Sequence, residues 1–406
     1  MPKINSVQTH LLRVLSLIYR HERISRTKLA ANTGYSSFLI SKLTERLLKD
    51  DFIHEMGAGE SSGGRPPTLL SINPGIGHLV GVHMGTINLR LAVTDMCGRV
   101  LAYKIEKSLV DKGPDDALNH LLEAIFDLLK EAKISRHKLS GVGMGISGLL
   151  DRARGITLSW PKVSSWANVP VRSFLEDNLG TFVEVDDTPR TMALAEKRYG
   201  TARNSEEFVY LTFGAGIGAA LFLHGKLYAG QGGFAGEFGH TTIDEHGPLC
   251  SCGNRGCVEA LVSASIIIRQ AEEGLAMDLS PQLRLITQQN GGRVTLEGIA
   301  RAAEANDRFC LGLLLETGVR VGIGIVSLVN LLNPELIVLG GGLPKAAGKW
   351  LLPSINRVVQ ERAMQGPASQ VSIVLSDLTE VDWARGAALL ASESALRRAL
   401  VKAYGS

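Results

Sequence analysis

No uninterrupted apolar run in this sequence is long enough for a membrane span. The longest apolar region, Val321 to Leu339, is broken by Asn330, Asn333, Pro334 and Glu335. A span needs about 20 consecutive apolar residues, so the pattern predicts a helix, a turn and a buried strand. Near the N-terminus no apolar core is followed by a small-residue cleavage site, and no secretory signal is expected. Cysteine is scarce. The 406 residues hold five, an odd number, which argues against a disulfide framework and fits a reducing, cytoplasmic setting. A strong charge of either sign is also lacking, the formal net being +3. What remains is a soluble globular chain, 45% hydrophobic, of two or three domains with no membrane partner.

The small net charge hides an asymmetry. Residues 1–72 hold ten Lys and Arg against six Asp and Glu, a net of +4, and the remainder holds 33 against 34. Positive charge at the front suits a polyanion. Apolar positions Leu11, Leu12, Val14, Leu15 and Ile18 predict an amphipathic helix over about Val7 to Arg20. A short helix follows, with Ser25 as its N-cap and Gly34 as its turn. A third helix runs from about Ser36 to Lys49, with Leu39, Ile40, Leu43, Leu47 and Leu48 on one face and Ser37, Ser41, Lys42, Glu45 and Arg46 on the other. Two helices joined through a glycine turn, the second with an exposed polar face, form a helix-turn-helix pattern. Strands at Asp51–Glu55 and Thr68–Ile72, separated by a glycine-rich tip, add a wing. The expected contacts to a double-stranded operator are Ser36, Ser37, Ser41, Lys42 and Arg46 in the major groove and Arg65 at the wing tip.

Cys250, Cys252 and Cys257 fall within eight residues, and His240 lies ten residues upstream of the first. Gly253 and Gly256 permit turns tight enough to bring the three sulfurs together. Such a Cys₃His set suits tetrahedral Zn²⁺; the alternative is a reactive or merely buried thiol cluster.

From Leu79 onward the texture is strands, glycine turns and helices. Three strands begin near Leu79, Leu89 and Val100, and the pattern restarts near Phe208. A start repeated in this way predicts two related α/β lobes with a cleft between them.

Glu237-Phe-Gly-His240, the cysteine cluster, Gly256-Cys-Val-Glu259 and Asn333-Pro-Glu-Leu-Ile-Val-Leu-Gly-Gly-Gly342 together resemble the ROK family of sugar kinases and sugar-responsive repressors. The resemblance runs from about Gly81 to Ala388, and the winged helix with its Gly-Gly-Arg-Pro tip resembles the repressor branch. It implies a winged helix-turn-helix over 1–74 and two actin-like (ribonuclease H-like) lobes. The lobes would cover 75–195 and 196–406, the second carrying the zinc loop, with the C-terminal helix free to return to the first. It also implies sugar contacts at Glu237, His240 and Glu259.

The family's kinases place their general base as the Asp of an Asn-Asp-x-Asn run ahead of an Ala-rich helix. The matching segment here is Val185-Asp-Asp187-Thr188-Pro-Arg190, with Thr188 at the base position and Arg190 at the second Asn. Threonine has no carboxylate to accept a proton. The family's Asp-x-Gly-Gly-Thr-Lys phosphate loop is here His83-Met-Gly85-Thr86-Ile87-Asn88, while Gly214-Ala-Gly216-Ile-Gly218 survives. No catalytic residue is therefore expected. Arg190 and Asp187 join the candidate effector contacts, Arg190 being suited to a phosphate or carboxylate on the ligand or to an internal carboxylate. Trp160 and Trp166 are expected to pack rather than stack on a sugar. The favoured expectation is a DNA-binding regulator, probing a sugar or sugar derivative and acting as a homodimer or dimer of dimers. The alternatives are a sugar kinase with a DNA-binding leader, using Asp187 as base, and a scaffold whose zinc loop binds another protein.

Overall fold

Capping chemistry sets the first three helices of the computed structural model, which describes residues 5–58 and 66–404. Asn5 caps Ser6–His21 through a reciprocal pair with Gln8, each side chain accepting from the other's backbone N–H at 2.9 Å. Ser25 caps Arg26–Thr33, which ends on Gly34 in the left-handed region (φ 72°). Ser36 caps Ser37–Lys49. The strands Ile53–Ala58 and Thr68–Ile72 pair antiparallel as the wing. A short strand with no signal in the sequence, Ile24–Ser25, joins Thr68–Ile72 on its other side. Arg65 lies outside the described residues.

The two five-stranded sheets share one plan. In the first, the spatial order is Val183–Asp187, Leu139–Ile146, His78–Met84, Asn88–Asp95, Val100–Lys107. In the second it is Ser372–Leu375, Leu336–Gly340, Phe208–Phe213, Ile217–Leu223, Lys226–Tyr228. Each opens with three antiparallel strands in chain order. Each then adds a fourth strand parallel to the first. This is the repeated start read from the sequence.

The backbone contacts divide the chain into two units, and the division is not linear. One comprises residues up to Ile146, Pro170–Asp186 and the segment from Trp383; the other comprises Ser147–Val169 and Asp187–Asp382. The C-terminal helix, Glu380–Tyr404, is what brings the chain end back to the first unit. Its seat is a pair of register partners on neighbouring strands, Gly81 and Gly143. A Cβ on Gly81 would overlap the Ala384 carbonyl oxygen, and one on Gly143 that of Ala387, so the helix backbone rests directly on the sheet. Farther along, Ala391, Ala395, Leu396 and Leu400 share one buried core with Leu11, Leu15, Ile18 and Leu47 of the winged helix.

In the second unit, the region read as helix, turn and strand is Arg308–Leu332, Asn333 in the left-handed region (φ 44°), and buried Leu336–Gly340. By length and composition alone the helix could cross a membrane. Here Gly318 and Gly322 lie against Leu351, Ser354, Ile355 and Val358 of the helix Gly342–Arg362. Their missing side chains let the two helices approach closely.

Candidate functional site

The cysteine loop folds through two glycines with positive φ, Gly253 (92°) and Gly256 (62°). A Cβ on Gly256 would overlap the Asp244 carbonyl oxygen. Short bridges, Thr242 to Cys257 and Leu249 to Arg255, close the loop. The ligating atoms of His240, Cys250, Cys252 and Cys257 all lie within 4.8 Å of one another. Cys252 Sγ and Cys257 Sγ are 3.8 Å apart, and Cys250 Sγ is 3.6 Å from His240 Nδ1. Sulfurs bound about 2.3 Å from a tetrahedral metal stand roughly 3.8 Å apart, so the donors fit one ion. Burial, helped by the neighbouring Cys252 and Cys250 thiols, pushes the Cys257 thiol up to about 12. A bound dication would remove that obstacle by stabilising the thiolates together.

Cys257 is also the N-cap of the helix Val258–Val262, which carries Glu259. Metal loop and carboxylate are thus adjacent by construction. Glu259 is 8% exposed; one of its oxygens accepts from the Ile217 N–H at 2.8 Å and the other is 3.3 Å from Lys162 Nζ. Lys162 also donates to the Ala215 carbonyl of the surviving glycine loop. Sequence reasoning does not find Lys162, because a single lysine in an irregular segment carries no periodic signal. Glu237 shares this electrostatic neighbourhood. Burial raises its carboxyl above the usual range, with His240 and Arg152 opposing and Glu259 adding to the rise. Glu237, His240 and Glu259 therefore lie within electrostatic reach of one another.

Asp187 and Arg190 stand at the start of the helix Thr188–Tyr199. One Asp187 oxygen caps that helix by accepting from the Arg190 N–H at 3.0 Å. Arg190 is 6% exposed, and its guanidinium donates to the Tyr228 carbonyl at 2.9 Å. Thr188 is buried in the first turn. Trp160 and Trp166 are both buried and meet edge to face at 5.4 Å, which is packing. At the altered first loop, His83 is buried 5.4 Å from the Trp383 ring, over which Arg90 also lies at 4.7 Å. Burial, then the Arg90 charge, lowers His83 to about 3, leaving a neutral imidazole where the family kinases carry an acid.

On the winged helix, Ser36, Ser37, Lys42 and Arg46 are exposed and Ser41 is half-buried. The Ser36 hydroxyl caps its own helix, accepting from the Leu39 N–H at 3.2 Å. Arg46 lies over the ring of Tyr404 at 4.2 Å, and the Tyr404 hydroxyl bonds to Asp50. Tyr404 has no signal in the sequence, since nothing local links residue 404 to residue 46. The end of the helix Ser37–Lys49 thus borders a groove of about 800 Å³ lined by Lys42, Glu45, Lys49 and Tyr404 among others. The helix start is clear of it.

Fold and site define a class: a winged helix and a two-lobed, sugar-kinase-like body with a Cys₃His group able to hold a metal ion. The chain belongs to the ROK family, whose family model matches residues 79–394. It is 31% identical to a xylose repressor of Caldicellulosiruptor bescii over 379 residues, 92% of each chain. It is 29% identical to a glucokinase of Thermotoga maritima over 317 residues, which spans 78% of this chain and 97% of the glucokinase. A solved ROK family transcriptional regulator, described as a homologue of the E. coli MLC protein, superimposes with a TM-score of 0.81 at 27% identity, covering 98% of both chains.

Proposed function

We propose that this chain is a sugar-responsive transcriptional repressor that reads an operator with its winged helix and senses a carbohydrate without phosphorylating it. One observation carries the reading. A single helix, Glu380–Tyr404, rests on the Gly81–Gly143 seat of the first lobe and enters the winged-helix core farther along. A change in the lobe therefore has a stiff path to the DNA reader. The match to a xylose repressor along nine-tenths of both chains supports the same reading. Xylose is accordingly the first effector to test.

In this reading Zn²⁺ occupies His240, Cys250, Cys252 and Cys257 and holds the Glu259 helix in place. Glu237, His240, Glu259, Asp187, Arg190 and Lys162 recognise the ligand. The effector must bind two states of the protein unequally to change DNA affinity. A C₂ homodimer, alone or paired as a dimer of dimers, meets a palindromic site in the reducing cytoplasm. Against a kinase reading stand Thr188 at the base position, the capping duty of Asp187 and the neutral His83 at the first loop.

Duplex affinity is expected to fall roughly 10³-fold or more between 50 and 200 mM salt, as phosphate contacts release counterions. One member of a pentose and hexose panel should release the duplex, and none should yield ADP from ATP. Turnover of ATP with a sugar, together with salt-independent or absent duplex binding, would overturn the proposal.

Lys162→Met is expected to raise the sugar concentration needed for release about tenfold, because a charge-assisted bond to Glu259 is worth roughly 1.5 kcal/mol at the low end of its range. An unchanged release midpoint in a filter or anisotropy titration would remove Lys162 from the site.

A further inference from the structure

An exposed aromatic stands where the recognition helix begins. Phe38 is the second residue of Ser37–Lys49 and is 70% exposed. Its neighbours Ser36, Ser37 and Lys42 are exposed and polar, and Ser41 is half-buried. One turn along, the Lys42 ammonium lies 4.7 Å from the ring centroid and holds the ring against the helix start. A protein-docking surface would gather several apolar side chains. Here a lone ring is ringed by hydroxyls and a cation, on a module whose net charge over residues 1–72 is +4. The matching surface is anionic and polar, with isolated apolar points. The major groove has that character: phosphates flank it, base edges line it, and the only apolar group it presents is the thymine C5-methyl. Residues at the start of a recognition helix are those that reach base edges.

We propose that Phe38 is a specificity-determining residue that packs its ring on a thymine methyl in each operator half-site, with Lys42 orienting the ring and reaching the adjacent phosphate or base edge. The proposal rests on the DNA-binding reading above and deepens it. Phe38 is not among the base contacts expected from the sequence, since an aromatic on a helix reads first as core.

The test uses the full-length chain and a duplex that it enriches from a random-sequence library. Each dT of that duplex is replaced in turn by dU, which deletes only the methyl. Wild type is expected to lose about fourfold in affinity at one position per half-site, the equivalent of one buried methyl at about 0.8 kcal/mol. Phe38→Ala should bind the unmodified duplex more weakly, with an unchanged salt slope, and should be indifferent to dU at that same position. An unchanged melting temperature for Phe38→Ala separates lost contact from lost fold. Phe38→Leu should recover part of the dT preference. If every dT→dU change affects wild type and Phe38→Ala equally, the proposal is overturned while the repressor reading stands. If no duplex is enriched at all, both fall.

Discussion

Replacing Cys257 by serine is expected to strip the metal and lower the stability of the second unit by several kcal/mol. Structural zinc contributes on the order of 10 kcal/mol to small metal-dependent domains, and apart from backbone bridges and hydrogen bonds the loop has little apolar core of its own. Its own hydrophobic cluster consists of Cys250, Cys257 and Ala260, two of them ligands. The effect should reach beyond the loop. Cys257 directly precedes the helix bearing Glu259, and Glu259 accepts from the Ile217 N–H, so loss of the ion is expected to loosen the proposed ligand site as well. Metal content by mass spectrometry, thermal melting, and sugar-induced duplex release should therefore fail together. A chelator should reproduce the substitution, more readily at lower pH, because protons compete for the thiolates and the imidazole. A Cys257→Ser protein that keeps one equivalent of zinc and melts with wild type would refute the assignment.

Gly143→Val is expected to cost about 3 kcal/mol or more, at the upper end of overpacking penalties. The obstacle is the Ala387 carbonyl of the C-terminal helix, and backbone cannot swing aside as a long side chain can. The helix must lift from the sheet. Since Ala391, Ala395 and Leu400 of the same helix lie in the winged-helix core, duplex binding should weaken along with lobe stability. Gly312→Ala supplies the control. That glycine lies on the exposed side of its helix, and no neighbouring atom comes within 4 Å of the place an alanine methyl would take. Alanine there should be neutral or stabilising by roughly 0.5–1 kcal/mol. Equal melting temperatures for Gly143→Val and wild type would show that the seat is looser than described.

The candidate metal ligands, the helix-turn-helix and the repeated strand order are legible in the sequence because each depends on neighbours in the chain. Ser25, Gly34 and Ser36 act on the backbone within four residues of themselves, and the cysteine spacing is itself the geometry of the loop. The roles of Gly81 and Gly143 are not legible. In the sequence they read as ordinary glycines in strands, and only the arrival of a helix some 240 to 300 residues later gives them a purpose. Lys162 and Tyr404 escape for the same reason, as their partners Glu259 and Arg46 are remote in the chain. His83 reads from the sequence as a departure from an acid, but its burial against Trp383 does not.

By itself the sequence determined the three capped helices at the front, the repeated strand order, and which side chains have the chemistry to hold a metal or meet a duplex, because caps, turns, periodicity and ligand type are local properties. Tertiary structure alone decided that the chain end returns to the first lobe, that Glu259 is held between the Ile217 N–H and Lys162, and that Arg46 lies over Tyr404. Those are long-range contacts, and their partners are chosen by how whole sheets and helices pack, a choice no short window of residues encodes.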